Sequence, residues 1–435
     1  MSERQSYLLE RAILPDGVAD EVLVTVADGR FETVTPGFPG HDGAATRLAG
    51  LTVAGLANCH SHAFHRALRG RTQRGRGTFW TWREQMYAAA QRLDPDSYFA
   101  LARAVYREMA ATGITCVGEF HYLHHQPDGT PYADPNAMGE ALIEAAREAG
   151  IRITLLDTLY LAAGIGTPPE GVQRRFSDGD ADTWAQRVSR LEERDGVLVG
   201  RAMHSVRAVP RDQLRPAAGR PLHVHLSEQR AENEQCLAAY GMTPTELLAE
   251  EGLLGAETTA VHATHLTETD IRLLGEAAAY ADFCPTTERD LGDGIGPSRA
   301  LHEAGARLTL GSDSHAVIDL FEEMRAVELD ERLVTEQRGH WSAGELLAAA
   351  TATGHQSLGW SDTGRIAVGQ RADLVTLSTT SPRTAGTGSD ESSVVFAACG
   401  DDVTHVVADG KIVARAGDRQ EIGDELATAI GEVWA

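Results

Sequence analysis

Eight short apolar runs, separated by longer segments of helical periodicity, fill the middle of this 435-residue chain. They are Leu51–Ala57, Ile114–Phe120, Ile151–Leu156, Val197–Met203, Pro221–Leu226, Thr258–Ala263, Ala278–Cys284 and Ala306–Leu310. Pro95–Thr112, Asn136–Ala149, Asp182–Glu193 and Glu228–Glu250 carry helical patterns between them. Parallel strands need crossovers of a dozen or more residues, so this alternation is the mark of βαβ units. Eight such units predict an α/β chain built on a (β/α)8 (TIM) barrel, whose chemistry sits at the C-terminal ends of its strands. The ends of the first, fifth, sixth and eighth runs carry His, His, His and Asp.

The flanks read differently. YLLERAIL and EVLVTVADGRFETV alternate as short strands, with a turn at Asp28-Gly29. Past the barrel, Glu345–Leu358 reads as one helix, Gly364–Leu377 and Val403–Ala416 as strands, Ser378–Ser393 as an exposed loop and Asp424–Val433 as a surface helix. The expected organisation is a small β-sandwich domain built from both ends, residues 1–49 and 363–435, around a barrel over residues 50–362.

Composition narrows the function. A formal charge of −24 excludes a nucleic-acid or anionic-membrane surface, since both need basic patches. Lys411 is the single lysine, which removes P-loop chemistry and argues against a Schiff base or a lysine bridging two metals. The five cysteines are scattered without a CxxC and read as buried thiols of a reducing compartment. Cys59 adjoins His60, but strand alternation turns it to the opposite face, for packing. The N-terminal residues show no apolar signal region, and no run is long enough to span a bilayer. A cytoplasmic protein is expected.

The strand ends hold a coherent set. In LANCHSH, His60 and His62 are two apart and share a face of an extended chain, so both can reach one ion. In HVHLSEQ, His225 ends its run and is the better ligand than the deeper His223; Glu228, three residues on, is placed to shuttle a proton. His262 ends TAVHATH and can polarise substrate or water, whereas His265 falls in the following loop or helix. Asp313, in LTLGSDSH, closes a His-His-His-Asp set suited to one divalent metal, usually zinc, with a position left for water. Such an ion acidifies its water to a pKa of roughly 7. Asp313 can take the proton and Glu228 can deliver it to a leaving nitrogen.

Barrel, flanking β domain and ligand pattern together resemble the amidohydrolase superfamily over nearly the whole chain. No lysine marks the fourth strand and His204 stands at its tip, which points to the mononuclear deaminase branch. FWTWREQMY (79–87), EFHYLHH (119–125), HSVRAV (204–209), TTERDLGDGI (286–295) and GSDSH (311–315) are similar to the formimidoylglutamate deiminases of histidine degradation. The resemblance implies hydrolysis of N-formimino-L-glutamate to N-formyl-L-glutamate and ammonia. It implies metal ligands at His60, His62, His225 and Asp313, with Glu228 and His262 as acid–base and polarising groups. Substrate contacts then fall on Arg83, Tyr122, His204 and Arg207, and a homodimer is implied. His65 stands where many relatives carry glutamine; its imidazole can still donate a hydrogen bond.

A dicarboxylate substrate requires local positive charge in this acidic protein, and arginine supplies bidentate carboxylate recognition. Two alternatives stand beside this reading. One is a mononuclear deaminase acting on a purine, pyrimidine or triazine ring, which has little use for two arginines. The other is an inactive barrel that only binds a ligand or partner, which needs no proton shuttle.

Overall fold

The computed structural model describes residues 4–39, 44–73, 76–77, 79–214 and 221–435. Among them, Leu56–Ser61, Ile114–His121, Arg152–Leu159, Val197–Met203, Leu222–Leu226, Thr258–His262, Tyr280–Phe283 and Arg307–Leu310 form one parallel sheet in chain order. The sheet closes where Ser61 bridges Asp313. There the N–H groups of Ser312 and Asp313 donate to His60 O at 3.1 and 3.0 Å. Gly311 permits this seam: a Cβ there would lie 2.7 Å from His60 Cβ and 2.9 Å from the His60 carbonyl oxygen. Both faces of each strand are covered, which is why these segments read as continuous apolar runs.

The first run divides between two sheets. Thr46–Ala54 pairs with Gln5–Leu14 and Leu374–Leu377, and the barrel strand begins only at Leu56. Gly55 marks the crossing, where a Cβ would meet Thr115 Oγ1 at 2.3 Å and Asp373 Cβ at 2.7 Å. One apolar stretch serves two cores, and periodicity alone cannot part them.

The second sheet has seven strands, ordered Lys411–Arg415, Val403–Ala408, Leu374–Leu377, Thr46–Ala54, Gln5–Leu14, Gly17–Ala27, Arg30–Thr35. It curls until its ends meet: Gly410 lies against Val26, and Gly29 against Asp409. Tyr7, Val24, Phe31, Leu374 and Val407 share the core so enclosed. The Asp28-Gly29 turn has positive φ at both residues, the geometry of a two-residue hairpin. A buried ion pair pins this sheet to the barrel. Arg152, at the start of the third barrel strand, pairs with Asp373, which also accepts from Thr115 Oγ1 at 3.0 Å.

Helices depart from the sequence expectation where caps interrupt the period. The segment Glu228–Glu250 becomes Arg230–Tyr240 and Pro244–Glu250, because Gly241 ends the first in a left-handed C-cap and Thr243 opens the second with a capping box. Glu345–Leu358 likewise breaks at Thr351 into Ala343–Ala350 and Ala352–Ser357. The latter lies beneath the barrel, where Leu358 and Trp360 pack on Cys59 and Cys116. Cys59 is thus a packing residue. Gly364–Leu377 is a strand only over Leu374–Leu377, and the loop after it yields to a helix at Glu391. The final helix, Arg419–Val433, buries Ile422, Leu426, Ala429 and Val433. Trp434 Nε1 then donates to Ala67 O at 2.9 Å. No helix among the described residues is long and apolar enough to cross a membrane.

Candidate metal and active site

His60 and His62, at the end of the first barrel strand, stand across the seam from Asp313. Their Nε2 atoms lie 3.3 and 3.2 Å from Asp313 Oδ1. His225 reaches in from the fifth strand, its Nε2 3.1 Å from His60 Nε2. His62 Nδ1 donates to Phe120 O at 3.0 Å, and His225 Nδ1 to His204 O at 2.8 Å. These bonds fix the tautomers, so both Nε2 atoms present lone pairs. The His225 lone pair and the Asp313 carboxylate both face His60 Nε2, which can carry at most one proton, while the His62 lone pair faces Asp313. Such an electron-rich centre fits a cation.

Charge state agrees. Burial, joined by the neighbouring histidines, lowers His60 to about 4 and holds His225 well below the usual imidazole range. Burial would raise Asp313, but His60 and His62 hold it well below the carboxylate range. Neutral imidazoles beside an ionised carboxylate are the forms that ligate. His60, His225, His262 and Asp313 bring their ligand atoms within 4.8 Å of one another, and so do His62, His65 and Asp313. Both His62 and His262 stand beside Asp313, with Nε2 3.2 Å from Oδ1 and 3.8 Å from Oδ2 respectively.

His262 differs in what holds its other nitrogen. Its Nδ1 lies 3.3 Å from Glu288 Oε1, a carboxylate that also accepts the Cys284 N–H at 2.9 Å. Burial would lower His262, yet Glu288, Glu228 and Asp313 together carry it well above the usual range. Glu228 is buried in the cavity wall just beyond Ser227. Ser227, His262, Ala263, Asp313 and His315 all have positive φ, at 52°, 68°, 45°, 39° and 57°. Non-glycine residues in that region are strained, and here the strain gathers at strand ends that aim reactive groups.

A cavity opens above the cluster and joins Glu228, His262 and Asp313 to Arg83, Tyr122, His204 and Arg207. His65 lines it too, with Nε2 3.0 Å from Tyr122 OH. Arg83, on the helix Phe79–Arg92, donates from Nε to Tyr87 OH at 2.6 Å. Gln173 links Tyr87 OH, at 3.0 Å, to Tyr160 OH, at 2.8 Å. Arg207 donates from Nε to Glu232 Oε2 at 3.1 Å. Both arginines also line a groove outside the cavity, so they stand at its mouth.

The structure thus gathers every sequence-predicted site residue at one end of the barrel. His223 lies buried with both ring nitrogens unpartnered, and His265 hydrogen-bonds Ser227 O through its backbone N–H at 3.0 Å. Sequence reasoning missed several supports. Glu119 accepts from Ser61 Oγ at 2.6 Å and Ala63 N–H at 2.7 Å, holding the His60–His62 turn. Glu288 and Glu119 lie inside the quoted motifs, which give no hint of their partners. Glu232 lies in the first turn of the helix Arg230–Tyr240, four residues past Glu228, where a carboxylate reads as an ordinary helix-start charge. A second buried group, His121, His124 and Asp157, leaves no place for a cation, because Arg187 and Trp184 occupy both Asp157 oxygens.

The amidohydrolase-family profile matches residues 51–413. Formimidoylglutamate deiminase of Pseudomonas aeruginosa is 38% identical over 439 residues, spanning 96% of this chain and 95% of that protein. The 5-methylthioadenosine/S-adenosylhomocysteine deaminase of Halobacterium salinarum is 30% identical, spanning 87% of this chain and 84% of that protein. Among solved structures, an amidohydrolase from Brucella melitensis superimposes with a TM-score of 0.90 at 32% identity, covering 99% of this chain and 100% of that one.

Proposed function

This chain belongs to the amidohydrolase family and is a deaminating hydrolase, and from that premise we propose that its substrate is N-formimino-L-glutamate, cleaved to N-formyl-L-glutamate and ammonia. The observation that carries the substrate is the presence of two arginines, Arg83 and Arg207, in one cavity with Glu228, His262 and Asp313. A planar neutral ring offers nothing for two guanidinium groups to pair with. A dicarboxylate offers both.

His60, His62, His225 and Asp313 would hold one divalent ion. We propose zinc, since imidazole nitrogen and carboxylate oxygen are among its usual donors. When bound, it supplies acidified water and Lewis acidity. Asp313 takes the proton of the attacking water as the new C–O bond forms at the formimino carbon. His262, its Nδ1 held against Glu288 Oε1, donates from Nε2 to the developing oxygen. Both protons of the water end on the terminal nitrogen by way of Glu228: the first, passed on from Asp313, completes the tetrahedral adduct, and the second leaves the hydroxyl as the C=O forms, the C–N bond breaks and ammonia departs. Positioned acid–base groups of this kind contribute about 10²- to 10⁴-fold each. Arg83 and Arg207 hold the carboxylates, with Tyr122, His204 and His65 completing the contacts. The relatedness to formimidoylglutamate deiminase is also our ground for proposing a place in histidine degradation; the homodimer we propose rests on the family resemblance of the sequence motifs alone.

Arg83→Met and Arg207→Met test the substrate. Each should leave a substrate carboxylate unpaired, at a cost of roughly 2–5 kcal/mol, or about 30- to 5000-fold in kcat/KM. Formiminoglycine, which lacks the side-chain carboxylate, should be turned over poorly by the unaltered enzyme. Normal hydrolysis of formiminoglutamate by both variants would overturn the dicarboxylate reading.

A further inference from the structure

An arginine at the mouth of a cavity is a long, flexible side chain beside solvent, and fixing it costs side-chain entropy. Arg207 is fixed from behind. Its Nε donates to Glu232 Oε2, and the Glu232 side chain is wholly buried while that of Arg207 is 21% exposed. Burial raises Glu232 and Arg207 pulls it back down, so the pair shares one charge-assisted contact away from water. A guanidinium engaged at Nε is oriented in its plane and keeps its two terminal nitrogens for a ligand. Glu232 Oε1 meanwhile accepts the Ser227 N–H at 3.4 Å. Ser227 lies between His225 and Glu228, so one buried carboxylate stands between the loop that carries the proton shuttle and the arginine of the next loop.

We propose that Glu232 is the positioning residue that sets Arg207 for recognition of a substrate carboxylate. It touches no reacting atom and acts through Arg207 alone. This rests on the dicarboxylate reading given above. Glu232→Ala removes the acceptor and frees the guanidinium. Glu232→Gln keeps an acceptor oxygen in the same place and restores part of the function.

A double-mutant cycle on the metal-loaded enzyme decides the matter. Kinetics of formiminoglutamate hydrolysis would be compared for wild type, Glu232→Ala, Glu232→Gln, Arg207→Met and the Glu232→Ala/Arg207→Met pair. Glutarate binding, measured by calorimetry, would follow recognition apart from chemistry. Glu232→Ala should raise KM and weaken glutarate about 10- to 100-fold, the scale of one charge-assisted hydrogen bond. Glu232→Gln should recover most of that loss. In the Arg207→Met background, Glu232→Ala should cost less than about threefold. A loss that appears in kcat, or that persists in full without Arg207, would mean that Glu232 supports the Ser227–Glu228 loop instead, and the proposal fails. If the substrate reading fails instead, the wild type releases no ammonia from formiminoglutamate. Glutarate binding then still tests Glu232, by its dependence on both residues.

Discussion

At the scale of the residue, the site shows one side chain doing different work according to what holds its far nitrogen. His62 and His225 give Nδ1 to backbone carbonyls and so leave the lone pairs of Nε2 for the ion we propose. His262 gives Nδ1 to a carboxylate and keeps its proton. The convergence of these histidines with Asp313 at one end of the barrel was legible in the sequence because strand periodicity and strand ends place them. The partners Glu288 and Glu232 were not, because a carboxylate's role is set by residues 26 and 25 positions away that no local period connects. The same reasoning singles out Glu228. Glu228→Gln keeps the shape of the side chain but cannot transfer a proton. The variant should bind about one divalent ion per chain, as wild type does, and lose two to four orders of magnitude or more in kcat, about the range of acid–base catalysis. Turnover within about tenfold of wild type would move the shuttle to Asp313 or His262.

At the scale of the element, strands were read well and breaks were read poorly. Seven of the eight apolar runs lie on one barrel strand each, since a buried parallel strand has no polar face to interrupt it. The first run did not, because its apolar residues continue through Gly55 into a second core. The helix Ala352–Ser357 was absorbed into a longer one, although it closes the barrel from below. Its His355 is fully buried, with Nε2 3.1 Å from Gly55 O. Burial first, and then Arg152, lower its pKa to about 4. An unfolded histidine titrates near 6.5, so between these values the unfolded chain binds more protons. The stability contributed is present above about 6.5 and is lost as pH falls toward 4. His355→Gln removes this titration. Denaturant unfolding of both proteins at pH 7 and pH 5 should therefore shift the gap between them by about 2 kcal/mol in the variant's favour at the lower pH. Other titrating groups cancel in the comparison. An unchanged gap would mean that His355 is protonated equally in both states.

At the scale of the whole molecule, the chain builds a barrel and a second sheet from both of its ends, and joins them through the buried Arg152–Asp373 pair. The closure of the second sheet on itself was not legible, since it depends on Gly410 meeting Val26 across more than 380 residues. The charge of −24 repels anions at long range, yet the cavity presents two arginines at its mouth. For the dicarboxylate we propose, recognition would be local, made inside a low-dielectric wall where screening is weak. The amidohydrolase relatives include deaminases of formimidoylglutamate and of 5-methylthioadenosine or S-adenosylhomocysteine. Formimidoylglutamate carries two carboxylates, S-adenosylhomocysteine one and 5-methylthioadenosine none, so the last is the sharpest contrast for the proposed arginine contacts. The most direct measurement gives the purified, metal-loaded enzyme N-formimino-L-glutamate and 5-methylthioadenosine at equal concentrations in parallel, and follows ammonia. The account predicts ammonia and N-formyl-L-glutamate in equal amounts from the first, and a kcat/KM at least about 100-fold lower for the second, the worth of roughly 2.7 kcal/mol. Faster release from the nucleoside, or none from formiminoglutamate, would contradict it.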